Sequence, residues 1–346
     1  MGPGLLTFTS TPPMIPDTLP RSVWPITLDD IAAARDRIRP FVPVSPFRGY
    51  PVLDAALGND IRVWLKHENF NPTGAFKIRN AFSLLTALSD EERRRGIVAA
   101  TRGNHGLGLA YAGKTFGVPV TICVPLGNNP EKNEGMRALG ARLIEEGKDY
   151  DESLAVSERI VREEGAYLAH STNNAHIIAG AGTMSLEIAE QEPNLDALVI
   201  AVGGGSQAVG AMTVMRAMRP HVRVYAVQAA GASATHDGWH ARAPRVTTTP
   251  ATTFADGLAT RSTYELTFPA LCDGLADFIT VTDAQIAHAL RLLLRTTHTL
   301  VEGAGATGLA GLLALKERLA GQRVGVVVSG GNIDDQTLRR VVNREI

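Results

Sequence analysis

From about Asp60 onward the chain alternates short, Val-rich apolar runs with helix-patterned stretches, and that alternation is what most restricts its fold. IRVWLK, IVAA, VPVTICVP, ARLIEE, AYLAH, DALVIAV, VRVYAVQ and RVGVVVSG read as strands. Several are apolar at consecutive positions, the pattern of strands buried on both faces. Between them, KIRNAFSLLTAL, GLGLAYAGKTFG, EKNEGMRALG and DYDESLAVSERIVREEG read as helices, the first ended by SDEERRRG and the third by Gly140 at its C-cap. Strands separated by helices specify parallel sheets wrapped by helices, an α/β fold. One βα set spans about residues 95–170 and another about 195–330, with no stretch of linker composition between them. The expected organisation is therefore two open parallel-sheet domains with the smaller inserted in the larger. An arm covers 1–20, a large domain 21–94 and 171–346, and a small domain 95–170. In such folds a ligand binds in the crevice at the carboxyl ends of the strands.

Composition excludes several classes of function. With 34 basic and 35 acidic residues among 346, the formal net charge is −1, and no global field draws in nucleic acid or an anionic membrane. No run of about eighteen apolar residues is present, so no membrane span is expected. MGPGLLTFTSTPPMIP lacks the basic start and apolar core of a secretory signal. Cys123 and Cys272 are the only cysteines, which fits reduced thiols in a cytoplasmic protein.

Four segments carry chemistry, and each follows a strand or opens a helix. In Asn71-Pro72-Thr73-Gly74-Ala75-Phe76-Lys77 a turn places a lysine at a helix start, where the dipole favours anions. A positive field lowers an amine's pKa and makes it a better nucleophile, although the segment alone favours a surface lysine in a first turn. Gly203-Gly204-Gly205-Ser206-Gln207 follows DALVIAV, and consecutive glycines let several N–H groups converge on a phosphate. Thr101-Arg102-Gly103-Asn104-His105-Gly106 fills another strand-to-helix turn whose donors suit a carboxylate, or simply cap the helix. Ser329 ends RVGVVVSG, where a hydroxyl caps the next turn or faces a ligand in the crevice. Gly108 to Thr115 matches the P-loop pattern, which would make the chain an ATPase. The preceding strand ends too early for that, and Gly117-Val118-Pro119 leaves no helix behind it, so Lys114 is expected on the solvent side of a helix. His236 and His240 are four residues apart, but Gly238 and the surrounding composition read as a loop, and no metal site is expected.

Taken in order, these segments resemble the β-family of pyridoxal-phosphate enzymes, in particular its threonine/serine dehydratase group, which includes serine racemase. The resemblance runs from about Pro43 to Asp334 and also takes in IIAGAGTMSLEI, FADGLATR, HTLVEGAGATGLAGLLAL and VVSGGNID. It implies a fold like the tryptophan synthase β-subunit, with pyridoxal 5'-phosphate between two domains. Lys77 would hold the cofactor as a Schiff base, with Phe76 beside the ring and Asn104 donating to the phenolic oxygen. The N–H groups of Gly203, Gly204, Gly205, Ser206 and Gln207 would bind the phosphate, and Ser329 the pyridine nitrogen. Thr101, Arg102, Gly103, Asn104 and His105 would contact the substrate. The implied reaction turns a 3-hydroxy amino acid into a 2-oxo acid and ammonia. The substrate would be threonine, serine, or a bulkier relative such as phenylserine, hydroxyaspartate or an ectoine-derived compound. The implied assembly is a homodimer.

Departures from the pattern narrow this reading. Arg102 stands where the dehydratases carry Ser or Ala and the racemase a serine that acts as an acid. A guanidinium is a poor proton donor, so racemisation is not expected, and Arg102 is assigned to a substrate carboxylate or to gating. Gln228 and Ala234 occupy positions of acidic metal ligands in cation-activated relatives, so no divalent metal is expected. Ending at Ile346, the chain is expected to lack the regulatory domain of the feedback-inhibited dehydratases. The competing readings are a β-replacement synthase, a racemase, the P-loop ATPase and a silent ligand-binding protein.

Overall fold

A computed structural model describes residues 23–346, so the expected N-terminal arm lies outside the described residues. Among the described residues, ten strands form two sheets. The larger contains β1 (Phe47–Gly49), β2 (Arg62–His67), β7 (Ala197–Ala201), β8 (Arg223–Ala229), β9 (Asp277–Val281) and β10 (Arg323–Val328), in the order β1-β2-β10-β7-β8-β9. The smaller contains β3 (Ile97–Ala100), β4 (Val120–Val124), β5 (Arg142–Glu145) and β6 (Tyr167–Leu168), in the order β5-β4-β3-β6. All pairings are parallel except β1 with β2. The chain completes the smaller sheet between β2 and β7 of the larger one. β1 and β9 have no counterpart among the sequence-read strands: β1 is a three-residue edge, and β9 is the opposite, only partly buried edge.

Burial on both faces explains the uninterrupted apolar runs. Along β7, Ala197, Val199 and Ala201 join one core cluster while Leu198 and Ile200 join another on the opposite face. A third cluster, with Ile78, Phe82, Leu85, Leu109 and Ile122, unites the Lys77 helix (Lys77–Ala87) with the smaller sheet. At about 25 cal/mol per Å² of apolar surface buried, such runs supply most of the favourable folding free energy.

Two local expectations are corrected and one is borne out. SDEERRRG does not merely end the Lys77 helix. Ser89 caps a helix of its own over Asp90–Arg95, and the Ser89 and Glu92 side chains each bond the other's backbone N–H. His236 and His240 lie on a helix, Ala234–Ala241, despite the internal Gly238. That helix packs Trp239 against Phe278 of β9, and tertiary packing outweighs the roughly 1 kcal/mol glycine penalty. Its two imidazoles lie 4.4 Å apart, but no cluster of three metal-ligating side chains occurs among the described residues. The P-loop look-alike lies within the helix Asn104–Phe116, with Lys114 exposed as expected. Gly108 has a packing role there, because a Cβ would come within 2.8 Å of the Lys77 carbonyl oxygen where the two helices touch.

Candidate active site

The turn that presents Lys77 is held by buried charge. Arg79, two residues beyond it, donates from Nε to Glu68 Oε2 at 2.8 Å and from Nη1 to Glu187 Oε1 at 2.7 Å. Lys66 Nζ donates to the second Glu187 oxygen at 2.6 Å, and Asn71 Nδ2 to Glu68 Oε2 at 2.7 Å. Two cations and two carboxylates thus neutralise one another away from water. Burial alone would push the Glu68 carboxyl up, but the Arg79 charge and hydrogen bonds outweigh it and hold Glu68 below the usual carboxylate range. On the other side of the turn, Phe76 N–H donates to the Ser329 carbonyl at 3.0 Å and ties Lys77 to the end of β10.

Lys77 thereby points into a cleft between the two sheets, of about 920 Å³ including its mouth. Its Nζ donates to the Ser171 carbonyl at 3.1 Å, lies 5.1 Å from the Phe76 ring centre and makes no ion pair among the described residues. Burial without a counter-ion lowers the amine from 10.5 to about 8. Every residue assigned from the sequence to cofactor or substrate lines this cleft: Phe76, Lys77, Thr101, Arg102, Gly103, Asn104, His105, Gly203, Gly204, Gly205, Ser206, Gln207 and Ser329. They follow the carboxyl ends of β2, β3, β7 and β10, as the fold requires.

At the end of β7 the Gly203 and Gly204 carbonyls accept from the Thr235 and Thr267 hydroxyls, at 3.4 and 2.6 Å. The N–H groups of Gly203 through Gln207 donate to no acceptor among the described residues. Donors left free at the start of the helix Ser206–Met218 form an anion cup. Ser329 is buried at the end of β10. His105 is buried, and its Nε2 lies 2.9 Å from the Ala169 carbonyl, which assigns the ring proton to Nε2. Burial, with Lys77 adding to it, lowers His105 to about 3, so the ring stays neutral at physiological pH. Arg102 is half-buried at the cleft wall and forms no ion pair among the described residues.

Several cleft residues were not singled out in the sequence. Lys132 donates to Asp256 Oδ2 at 2.7 Å and lies 3.7 Å from Glu302 Oε2. Asn104 Nδ2 donates to Glu302 Oε1 at 2.6 Å, and Asn332 Nδ2 donates to Asn104 Oδ1 at 2.8 Å. Tyr150 and Ser171 pair their hydroxyls at 3.1 Å. Glu302 had a legible signal, a lone carboxylate in an otherwise apolar, glycine-rich run. Lys132 and Tyr150 had none, since each sits in a charged helical pattern like any solvated face.

A lone half-buried amine, an anion cup and a neutral hydroxyl within one interdomain crevice define an α/β enzyme built around a phosphorylated aldehyde cofactor. The family model described as "Pyridoxal-phosphate dependent enzyme" matches residues 38–330, and the chain belongs to that family. It is 38% identical to the L-threonine ammonia-lyase of Thermotoga maritima over 320 residues, 92% of this chain and 79% of that one. It is 32% identical to an L-threo-3-hydroxyaspartate ammonia-lyase of Pseudomonas sp, covering 88% of this chain and 95% of the relative. The solved structure of maize serine racemase superposes with a TM-score of 0.86 at 32% identity, covering 93% and 98% of the two chains. The cofactor is accordingly pyridoxal 5'-phosphate. The residues present fit it, because the unpaired amine and the free N–H cup are the two groups its aldehyde and phosphate require.

Proposed function

We propose that the chain removes water from a 3-hydroxy amino acid and releases a 2-oxo acid and ammonia, with Lys77 as covalent anchor and proton carrier. The observation that carries this reading is the Lys77 amine, half-buried, free of any carboxylate and sharing its cleft with the unpaired N–H groups of residues 203–207. Those N–H groups would hold the phosphate, with Phe76 beside the ring, Asn104 toward its oxygen substituent and Ser329 toward its nitrogen. When bound, the cofactor supplies a conjugated electron sink next to the substrate α-carbon. Lys77 Nζ takes the α-proton and returns a proton to the departing hydroxyl, so that water leaves. Water is taken up again when the released enamine hydrolyses, and the overall change conserves every atom of the substrate. A neutral Ser329 hydroxyl at the ring nitrogen would not favour its protonation, which would suit loss of the substrate hydroxyl over slower exchange reactions.

Thr101, Gly103 and His105 line the substrate side with Arg102, whose guanidinium pairs with a substrate carboxylate. The chain acts as a cytoplasmic homodimer in this reading. Unpaired Cys123 and Cys272 and the absence among the described residues of any helix long and apolar enough to cross a membrane support the location, and exposed Val52, Phe70 and Leu300 support an apolar subunit contact. Light scattering of the purified protein measures the assembly.

The deciding assay follows ammonia and 2-oxo acid together across serine, threonine, threo-3-hydroxyaspartate and phenylserine, with chiral analysis of the remaining substrate. Equal amounts of both products from at least one substrate are expected. Loss of enantiomeric purity without ammonia would instead make the chain a racemase. Arg102→Ala is expected to raise KM about tenfold or more, the loss of one charge-assisted carboxylate contact. An unchanged KM and kcat would remove Arg102 from substrate binding.

A further inference from the structure

Asn104 is held at both ends by the larger sheet although it opens a helix of the smaller unit. Its Oδ1 accepts from Asn332 Nδ2 at 2.8 Å, while Asn332 also donates to the Thr73 carbonyl at 2.9 Å in the turn before Lys77. Its Nδ2 donates to Glu302 Oε1 at 2.6 Å. An ionised carboxylate only accepts, and the Asn332 amide nitrogen only donates. Both neighbours therefore demand the same orientation of the Asn104 amide, and the second Nδ2 hydrogen stays free within the cleft.

The two neighbours occupy space that glycines leave open. A Cβ on Gly330 would overlap Glu302 Oε1, and one on Gly74 would overlap Asn332 Oδ1. Glu302 is almost fully buried just before the helix Gly303–Ala314, and its Oε2 has no hydrogen-bond partner. The groups facing it are Asn104 from its own helix, Lys132 from the helix Pro130–Ala138 at 3.7 Å, and Asp256 from the loop that pairs with Lys132. Arg102 and Asn332 line the same wall. This arrangement has no evident packing purpose, since an apolar residue at 302 would avoid burying a carboxylate.

We propose that Glu302 is a positioning residue that locks the Asn104 amide as a donor toward the ring oxygen of the cofactor, and that Lys132, reaching across the cleft to Asp256, keeps Glu302 ionised for that purpose. The inference rests on the reading that Lys77 holds the cofactor and Asn104 meets its ring oxygen. When Glu302 is protonated it can donate as well as accept, and Asn332 alone is left to hold the Asn104 amide in that orientation. Burial raises Glu302 from 4.5 to about 7, against the pull of Lys132. The lock therefore weakens as pH falls through neutrality and strengthens above it. Because Lys132 belongs to the smaller unit, and Asp256 and Glu302 to segments packed on the larger sheet, separation of the two units would release it.

The test is a pH titration of the visible absorption of the holoenzyme from 5.5 to 9, for the wild type, Glu302→Gln and Lys132→Met. The wild type is expected to show a spectral transition near the Glu302 value of about 7, and Glu302→Gln to lose it. Lys132→Met should move it upward by about one pH unit, because an opposite charge has been removed. The kcat of Glu302→Gln is expected to fall about tenfold or more with KM nearly unchanged, as for a group felt in the transition state rather than in binding. Wild-type and Glu302→Gln spectra that match at every pH would overturn the proposal while leaving the cofactor reading intact. A wild type that binds no cofactor after reconstitution would remove that reading and the proposal together. Should Glu302→Gln not fold, the Lys132→Met titration decides alone: an upward shift supports the lock, and an unmoved midpoint overturns it.

Discussion

At the scale of single residues, Lys77 shows how much a local signal carries. Its sequence context reveals a cation at a helix start, where the dipole disfavours it. The fold adds that no counter-ion answers it and that its amine is lowered to about 8. Lys77→Ala should abolish ammonia release, and borohydride treatment should no longer fix the cofactor to the protein. Retention of a reduced, dialysis-resistant adduct by the variant would put the anchor elsewhere. A second expectation concerns pH. The amine attacks an aldehyde only when neutral, and its folded value lies below the ordinary 10.5. Covalent capture of cofactor by the apoprotein should accelerate as pH rises to about 8 and level off above, which stopped-flow absorbance measures; acceleration continuing to 10 would mean an unperturbed lysine. His105, neutral down to about 3, contributes no step to such a profile above pH 5. Glu302 stands out in the sequence as a lone carboxylate in an apolar, glycine-rich run, but only the fold shows it buried beside Asn104.

At the scale of elements, strands and helices followed from apolar periodicity where packing was uniform. DALVIAV and RVGVVVSG, buried on both faces, are β7 and β10. The helix carrying His236 and His240 was read as a loop because its stability comes from Trp239 and Phe278 rather than from local propensity. The buried network of Lys66, Glu68, Arg79 and Glu187 was equally hidden, its members lying 121 residues apart between Lys66 and Glu187. Arg79→Met leaves two carboxylates buried with Lys66 as their only cation. It is expected to cost about 3–5 kcal/mol, the scale for breaking a buried pair, as measured by urea unfolding. A loss below about 1 kcal/mol would show that water enters the network. Because Glu68 lies below its usual range, its contribution is present above the unfolded carboxylate value near 4.5 and is lost as pH falls through the folded value. The wild type should therefore lose stability progressively on acidification below about pH 4.

At the scale of the whole molecule, two sets of charges bridge the cleft. Lys132 meets Asp256 on one side, and on the other Arg261 meets Asp151 at 2.7 Å and Asp149 at 3.0 Å. Asp149 and Asp151 stand at the start of the helix Tyr150–Glu164 that packs on the smaller sheet, whereas Arg261 belongs to a loop of the larger unit. These pairs are partly exposed, so Arg261→Ala should change the unfolding free energy by less than about 1 kcal/mol. It should nonetheless speed release of bound cofactor, followed by its fluorescence on dilution, and high salt should do the same to the wild type. Equal release rates in variant and wild type would mean that other contacts keep the cleft closed. The sequence by itself determined the α/β class, the insertion of one βα set within another and the family, and it marked Lys77 and the glycine turn at 203–207 as candidates. Each of these is written in contiguous residues whose periodicity or backbone freedom acts locally. Only the tertiary structure decided which charges meet. Asn104 with Glu302 and Asn332, Lys132 with Asp256, and Arg261 with Asp149 and Asp151 join segments about a hundred to more than two hundred residues apart, and their strength depends on burial and distance, which no local pattern encodes.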